Sequence, residues 1–262
     1  MSHLLTIAPS QNQNITMPAV REISLLFLLL LPALTIIAQP EKKDSILLSV
    51  LQKETINTYY NYMQENAPFY NGAEYTGHGQ NNVGHAFWGT GNAYAGFMEY
   101  DGVLYNNIML QYDIVDDAII ISDYTQNYLI KLNSKKIARF SIYNQLFVQP
   151  VFYSNAGAIP GEGFYEQLYN GSTTVLVKRT KKLVNKQSSD EKSIGKFLSF
   201  SQFFIQKGNT YNAIARKKDI IGIYQDKKNE IRRYISDNKL SFRKNPEIML
   251  EKVAAYYDQL KK

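Results

Sequence analysis

His78 and His85 stand seven residues apart in the stretch TGHGQNNVGHAFW, beside Trp88, the only tryptophan of the chain. Two imidazoles with a nearby carboxylate, Glu74 or Asp101, are donors that a divalent metal accepts. Seven-residue spacing in a glycine-rich loop matches no zinc pattern, and neither a cysteine nor a third downstream histidine completes the set. The structural account is therefore favoured: His78 open to solvent, His85 bonded to backbone at a turn. Tyr75, His78, His85, Trp88 and Asp101 are the ligand-binding candidates, with His78 and His85 an incomplete metal pair. No cofactor is expected.

A second group is carboxylic. Asp113, Asp116 and Asp117 lie in QYDIVDDAIII, between two strand-like runs. Paired carboxylates act as acid and base when a fold sets them across a cleft. Aspartates between strands more often bond turn amides, and that is the preferred reading. The chain has no Gly-x-Ser-x-Gly elbow, no cysteine nucleophile and no P-loop. Absent motifs tilt the expectation away from an enzyme without closing that possibility.

The elements that would position these residues are mainly strands. Eight of the fifteen glycines fall within 71–102, a zone of loops and turns. From about 95 to 215 apolar and aromatic runs alternate with turn signals. Asp101-Gly102, Asn170-Gly171 and Lys207-Gly208-Asn209 each read as a hairpin turn. About nine or ten strands result, in an antiparallel meander that is curved, half-barrel or sandwich-like. Residues 180–196, rich in charge, read as a mobile loop. Helical spacing predicts one helix over 44–66 before the sheet and about three after residue 216, the second capped by Asp226 and the last opened by Asn245-Pro246. The fold class is thus α+β, mainly β.

Residues 23–37, ISLLFLLLLPALTII, form an apolar run of about fifteen residues behind Arg21. That is shorter than the roughly twenty residues a spanning helix needs. Residues 1–38 accordingly read as a cleavable signal peptide, with Met17 as an alternative start. The body divides into 39–215, carrying the helix, glycine-rich loop and sheet, and 216–262, basic helices packed on the sheet. An exported chain without cysteine is not a lipoprotein and has no disulfides.

Several phrases form a set: YNGAEY at 70–75, GHAFW at 84–88, YDI at 112–114, GFYEQLYNG at 163–171 and AYYDQL at 255–260. Together they resemble a group of exported, β-rich proteins of Bacteroidota without an assigned activity. Members often carry proline where this chain has Ala86. The resemblance implies a periplasmic or outer-surface address and supplies no catalytic residue.

Charge is unevenly placed. Residues 178–262 hold 21 Lys plus Arg against nine Asp plus Glu, a net of +12, whereas 39–177 hold seven against thirteen, a net of −6. Arg232, Arg233, Arg243 and Lys244 could meet an anionic surface such as lipid or lipopolysaccharide, although charge runs are usually solvated helix faces. Nucleic acid is not expected, nor an integral membrane protein after cleavage. The leading expectation is a non-catalytic binding or scaffold protein of the cell envelope. The alternatives are an apolar-ligand carrier in a half-barrel, and a metal- or carboxylate-dependent hydrolase centred on His85.

Overall fold

Aromatic and β-branched side chains favour pleated, half-buried surface, and a computed structural model places these runs in eleven antiparallel strands. The structure describes residues 67–79, 82–152, 161–185 and 194–261, all in the second of two compact units, residues 54–262. The expected signal peptide and the helix over 44–66 lie outside the described residues.

The strands are β1 (Ala73–Glu74), β2 (Tyr94–Tyr100), β3 (Val103–Asp113), β4 (Ala118–Ser122), β5 (Leu129–Lys131), β6 (Ile137–Ile142), β7 (Gln145–Val148), β8 (Tyr165–Asn170), β9 (Thr173–Asn185), β10 (Gly195–Lys207) and β11 (Thr210–Ile214). Their order across the sheet is β1-β5-β4-β3-β2-β6-β7-β8-β9-β10-β11, with β1 and β11 at open edges. The sheet is therefore two meanders, β2 to β5 and β6 to β11, joined where β2 pairs with β6. Turn chemistry accounts for the tight hairpins. Asp101 and Gly102 have φ of 51° and 77°, the left-handed pair that a two-residue β2–β3 turn requires.

Residues 180–196 depart from expectation. Both flanks of this segment are paired strand, since β9 and β10 run in register from Thr173↔Lys207 to Asn185↔Gly195. Lys181 and Lys182 are followed by Leu183 and Val184, and Lys196 by Phe197 and Leu198, so both strands carry apolar residues on both faces, and the ladder prevails over the polar composition.

Directly opposed residues share a sheet face. One row runs Met98, Phe140, Phe147, Glu166, Val177, Phe203 and Ile214 across seven strands. At its left end, Met98, Tyr112, Phe140, Phe147 and Phe164 form a buried aromatic core. At its right end, Val175, Ile205 and Ile214 are buried against α1 (Lys217–Ile223), α2 (Lys228–Asp237) and α3 (Pro246–Gln259). Met249, Leu250, Val253, Ala254 and Tyr257 make the buried stripe of α3 at helical spacing. Asn245-Pro246 opens α3 as expected, but α2 starts at Lys228 behind Lys227. Asp226 instead sits one turn earlier and accepts hydrogen bonds from Lys207 and the Tyr257 hydroxyl, at 2.8 and 2.7 Å.

Glu166 interrupts the apolar row, and Arg179 answers it. The guanidinium contacts Glu166 through Nη2 at 2.5 Å and Glu247 at the start of α3 through Nη1 at 2.7 Å. It also donates to the Ser201 hydroxyl at 2.9 Å and lies 4.8 Å from the Trp88 ring. Burial pushes the Glu166 pKa up despite the opposing Arg179 charge. One residue thus ties β8, β10, α3 and the loop carrying Trp88. No helix among the described residues is long and apolar enough to cross a membrane.

Candidate functional site

The glycine-rich segment, the β3–β4 turn and the far end of the β9–β10 hairpin converge at the end of β3. Pairing of β1 with β5 brings Tyr75 there, its amide donating to the Leu129 carbonyl at 2.8 Å. Gly77 and Gly79 then turn the chain with φ of 73° and 84°, values that exclude most side chains. His78, held between them, reaches back to Asp113. Asn82 supports the bend by donating to the His78 carbonyl at 3.0 Å.

Asp113 is fully buried and saturated. Its Oδ2 accepts from the Tyr75 hydroxyl at 2.6 Å and from His78 Nε2 at 2.7 Å. Its Oδ1 accepts the amides of Val115 at 2.8 Å and Asp116 at 3.1 Å. Burial alone would push its pKa up, but the bonds from Tyr75, the Asp116 amide, His78 and the Val115 amide prevail and hold it below the ordinary value. The same bond, after burial, drives the Tyr75 phenol up. Asp116 Oδ1 stands 3.8 Å from His78 Nε2, while its Oδ2 accepts from Lys131 on β5 at 2.7 Å. His78, Asp113 and Asp116 offer three potential metal-ligand atoms within 4.8 Å of one another.

The expectation for His78 therefore changes. His78 is largely buried, not solvent-exposed, and it is an aspartate that holds it. His85 stands apart at the end of an aromatic chain: its ring stacks 6.4 Å from Phe87, which lies 6.0 Å from Tyr75, itself 6.3 Å from His78. The His85 Nδ1 is buried with no hydrogen-bond partner among the described residues, and burial followed by the Lys181 charge lowers its pKa. Lys181 donates to the backbone carbonyls of His85 and Phe87 at 2.8 and 2.6 Å, which clamps this strip to β9. Asp101 is also absent from the cluster; it occupies the β2–β3 turn and pairs with Lys136 at 2.7 Å. Trp88 is a structural anchor, donating to Gln145 at 2.8 Å with its ring 6.1 Å from Phe147. Asp117 accepts from Lys178 and Tyr112, both at 2.5 Å, and so serves a network separate from the one that Asp113 and Asp116 share around His78.

On the opposite sheet face lies an open groove of about 400 Å³. Leu146, Val148 and Leu176 form its apolar floor, and Arg139, Gln167, Asn170, Thr174, Gln206 and Tyr211 bring polar groups to it. Arg139 is already paired with Glu99 at 2.7 Å, so the groove offers amides and hydroxyls more than free charge. Sequence reading missed this groove, and also Lys131, Glu166 and Arg179. A signal for Arg179 existed: the period-two pattern of Val175 and Val177 points it inward. Arg232, Arg233, Arg243 and Lys244 are all exposed and form no ion pair among the described residues.

By fold and site the chain is an open antiparallel β-sheet protein with helices on one face, a histidine–aspartate cluster at one end and a polar groove on the face that no described helix covers. No family model, curated protein or solved structure matches it.

Proposed function

We propose that this is an exported, non-catalytic binding protein of the bacterial cell envelope, and that the groove on the uncovered sheet face receives its ligand. The groove itself is the observation that carries this reading. Side-chain amides and hydroxyls both donate and accept hydrogen bonds. Set around an aliphatic floor without a free charge, they suit a neutral, hydroxyl-rich ligand such as a glycan segment, and about 400 Å³ is within the size range of small-ligand sites. Thr174 already donates to Asn170 and Gln206 to the Gly208 carbonyl, at 3.1 and 3.3 Å, but a lipid tail would leave Gln167 and the Tyr211 hydroxyl unpaired, which weighs against the carrier alternative. Calorimetric titration with a panel of envelope glycans tests the reading. Binding to one of them, weakened at least tenfold by Gln167→Ala with Gln206→Ala at unchanged melting temperature, is the expected outcome. Absence of binding across the panel refutes it. The export step predicts a mature N-terminus at Gln39, checked by sequencing the secreted form.

A divalent-ion site is the second reading, favoured by the three ligand atoms of His78, Asp113 and Asp116. An ion there would have to take the place of the His78 proton and draw Asp116 from Lys131. Titration of chelator-treated protein with Zn²⁺ and Mn²⁺ decides it. A melting temperature unchanged by either ion would remove this site and the hydrolase that depends on it.

A further inference from the structure

We infer that the far end of the β9–β10 hairpin docks on an anionic lipid bilayer. Near the helices this hairpin buries Val175 and Ile205, but beyond Thr180 no described residue covers its outer face. Lys196↔Val184, Leu198↔Lys182 and Phe200↔Thr180 are opposed pairs, so all six side chains lie on one face. Val184, Leu198 and Phe200 are 46, 38 and 47% exposed, and neighbouring Ile194 is 52% exposed. Residues 180–185 and 194–200 contain three lysines and no carboxylate. Lys181 is spent inward on the His85 and Phe87 carbonyls. Lys182, 5.9 Å from the Phe200 ring centre, and Lys196 face outward with the apolar side chains.

The strip is also held in place from behind. Val83 donates to Gly195 and accepts from Phe197, at 2.8 and 3.2 Å, and the Phe197 ring lies 6.0 Å from that of His78. Apolar side chains that enter the acyl boundary while lysines stay among acidic headgroups are the ordinary means of peripheral membrane binding. Size separates this occupant from a protein partner. Two strands of five residues present about 17 by 10 Å, far below the roughly 800 Å² per partner of a stable protein interface. The inference does not depend on the groove, although the strip continues the groove's sheet face.

Co-sedimentation with phosphatidylglycerol-containing and pure phosphatidylcholine vesicles tests it. The protein is expected to bind the former at low salt, to be released as salt rises, and to ignore the latter. Leu198→Ser with Phe200→Ser, and separately Lys182→Glu with Lys196→Glu, should each weaken binding at least tenfold, with melting temperatures confirming the fold. The cysteine-free chain allows one spin label at a time. A label at Leu198→Cys should become more accessible to oxygen on binding, and one at Tyr128→Cys should not. No retention on anionic vesicles overturns the inference. So does retention unaffected by both double variants, which would move the contact to the C-terminal arginines, or self-association abolished by the serine pair, which would make the occupant a second copy. Groove variants Gln167→Ala and Gln206→Ala should leave vesicle binding intact, so the two proposals fail separately.

Discussion

Replacing Asp113 by asparagine should destabilise the protein by about 2–4 kcal/mol at neutral pH. The carboxylate accepts four hydrogen bonds from a fully buried position. Asparagine can keep its oxygen toward the two backbone amides, but its NH2 then faces the Tyr75 hydroxyl and His78 Nε2, where donors meet donors. Each charge-assisted bond contributes about 1.5–3 kcal/mol, and rotation of the Tyr75 hydroxyl recovers part of one. For a domain of this size the loss corresponds to a fall in melting temperature on the order of 10 °C. Direction with pH adds a second check. The Asp113 pKa is depressed in the folded state, so its contribution is present above the unfolded value of about 4 and is lost as pH falls through the folded value. Urea unfolding from pH 7 to pH 3 should therefore show wild type and Asp113→Asn converging at the acid end. Tyr75→Phe should cost about 1–2 kcal/mol and be nearly silent in the Asp113→Asn background. A variant within about 0.5 kcal/mol of wild type at pH 7, or a gap that stays constant down to pH 3, would refute the clamp.

Arg179→Met leaves Glu166 buried without its partner and should cost about 3–5 kcal/mol in chemical denaturation; adding Glu166→Gln should restore part of it. Gly96→Ala would set a methyl group into the Ser141 carbonyl across the β2–β6 junction, for an expected loss of about 2–3 kcal/mol. Gly102→Ala meets no atom, and only its φ of 77° opposes it, so about 1 kcal/mol is expected, with thermal melts checking both glycine variants. Asp226, drawn down to about 2 by Lys207 and then Tyr257, is largely exposed, and Asp226→Asn should cost under about 1 kcal/mol and depend on salt.

What the sequence disclosed was mostly local. Asp101-Gly102, Lys207-Gly208-Asn209 and Asn245-Pro246 work through neighbouring backbone, so they could be read without knowing the fold. The pairing of β2 with β6, and of β1 with β5, is non-local, and no turn residue announces it. The site divides in the same way. Asp113 bonds to turn amides two and three residues on, as aspartates between strands do, and that half was legible. Its bonds to Tyr75 and His78 span 38 and 35 residues and depend on β1 returning to β5. Asp101 was paired with the histidines by chemistry alone, but the hairpin carries it to another corner of the sheet. The charge of 180–196 conceals a ladder because Leu183-Val184 and Phe197-Leu198 adjoin its lysines without a period-two pattern, and the pairing that orders them is across the hairpin.

The two sheet faces differ in what remains to be satisfied, and this bears on function more than any single residue does. On the covered face, helices bury Val175, Ile205 and Ile214, and Arg179 neutralises Glu166; at the end of β3, the bonds of Asp113 are spent on Tyr75, His78 and two amides. Groups so fully occupied hold structure together, and any chemistry there would first have to break those bonds. On the other face, Gln167, Gln206 and Tyr211 border an open groove, and Leu198 and Phe200 remain in solvent on the same side of the ladder. Unspent hydrogen-bonding capacity and unburied apolar surface lie together there, on a sheet whose far end is fixed through Val83 and Lys181. Under the binding reading we propose, the groove and the hairpin strip, more than the histidines, are therefore the places where a ligand and a surface are to be sought.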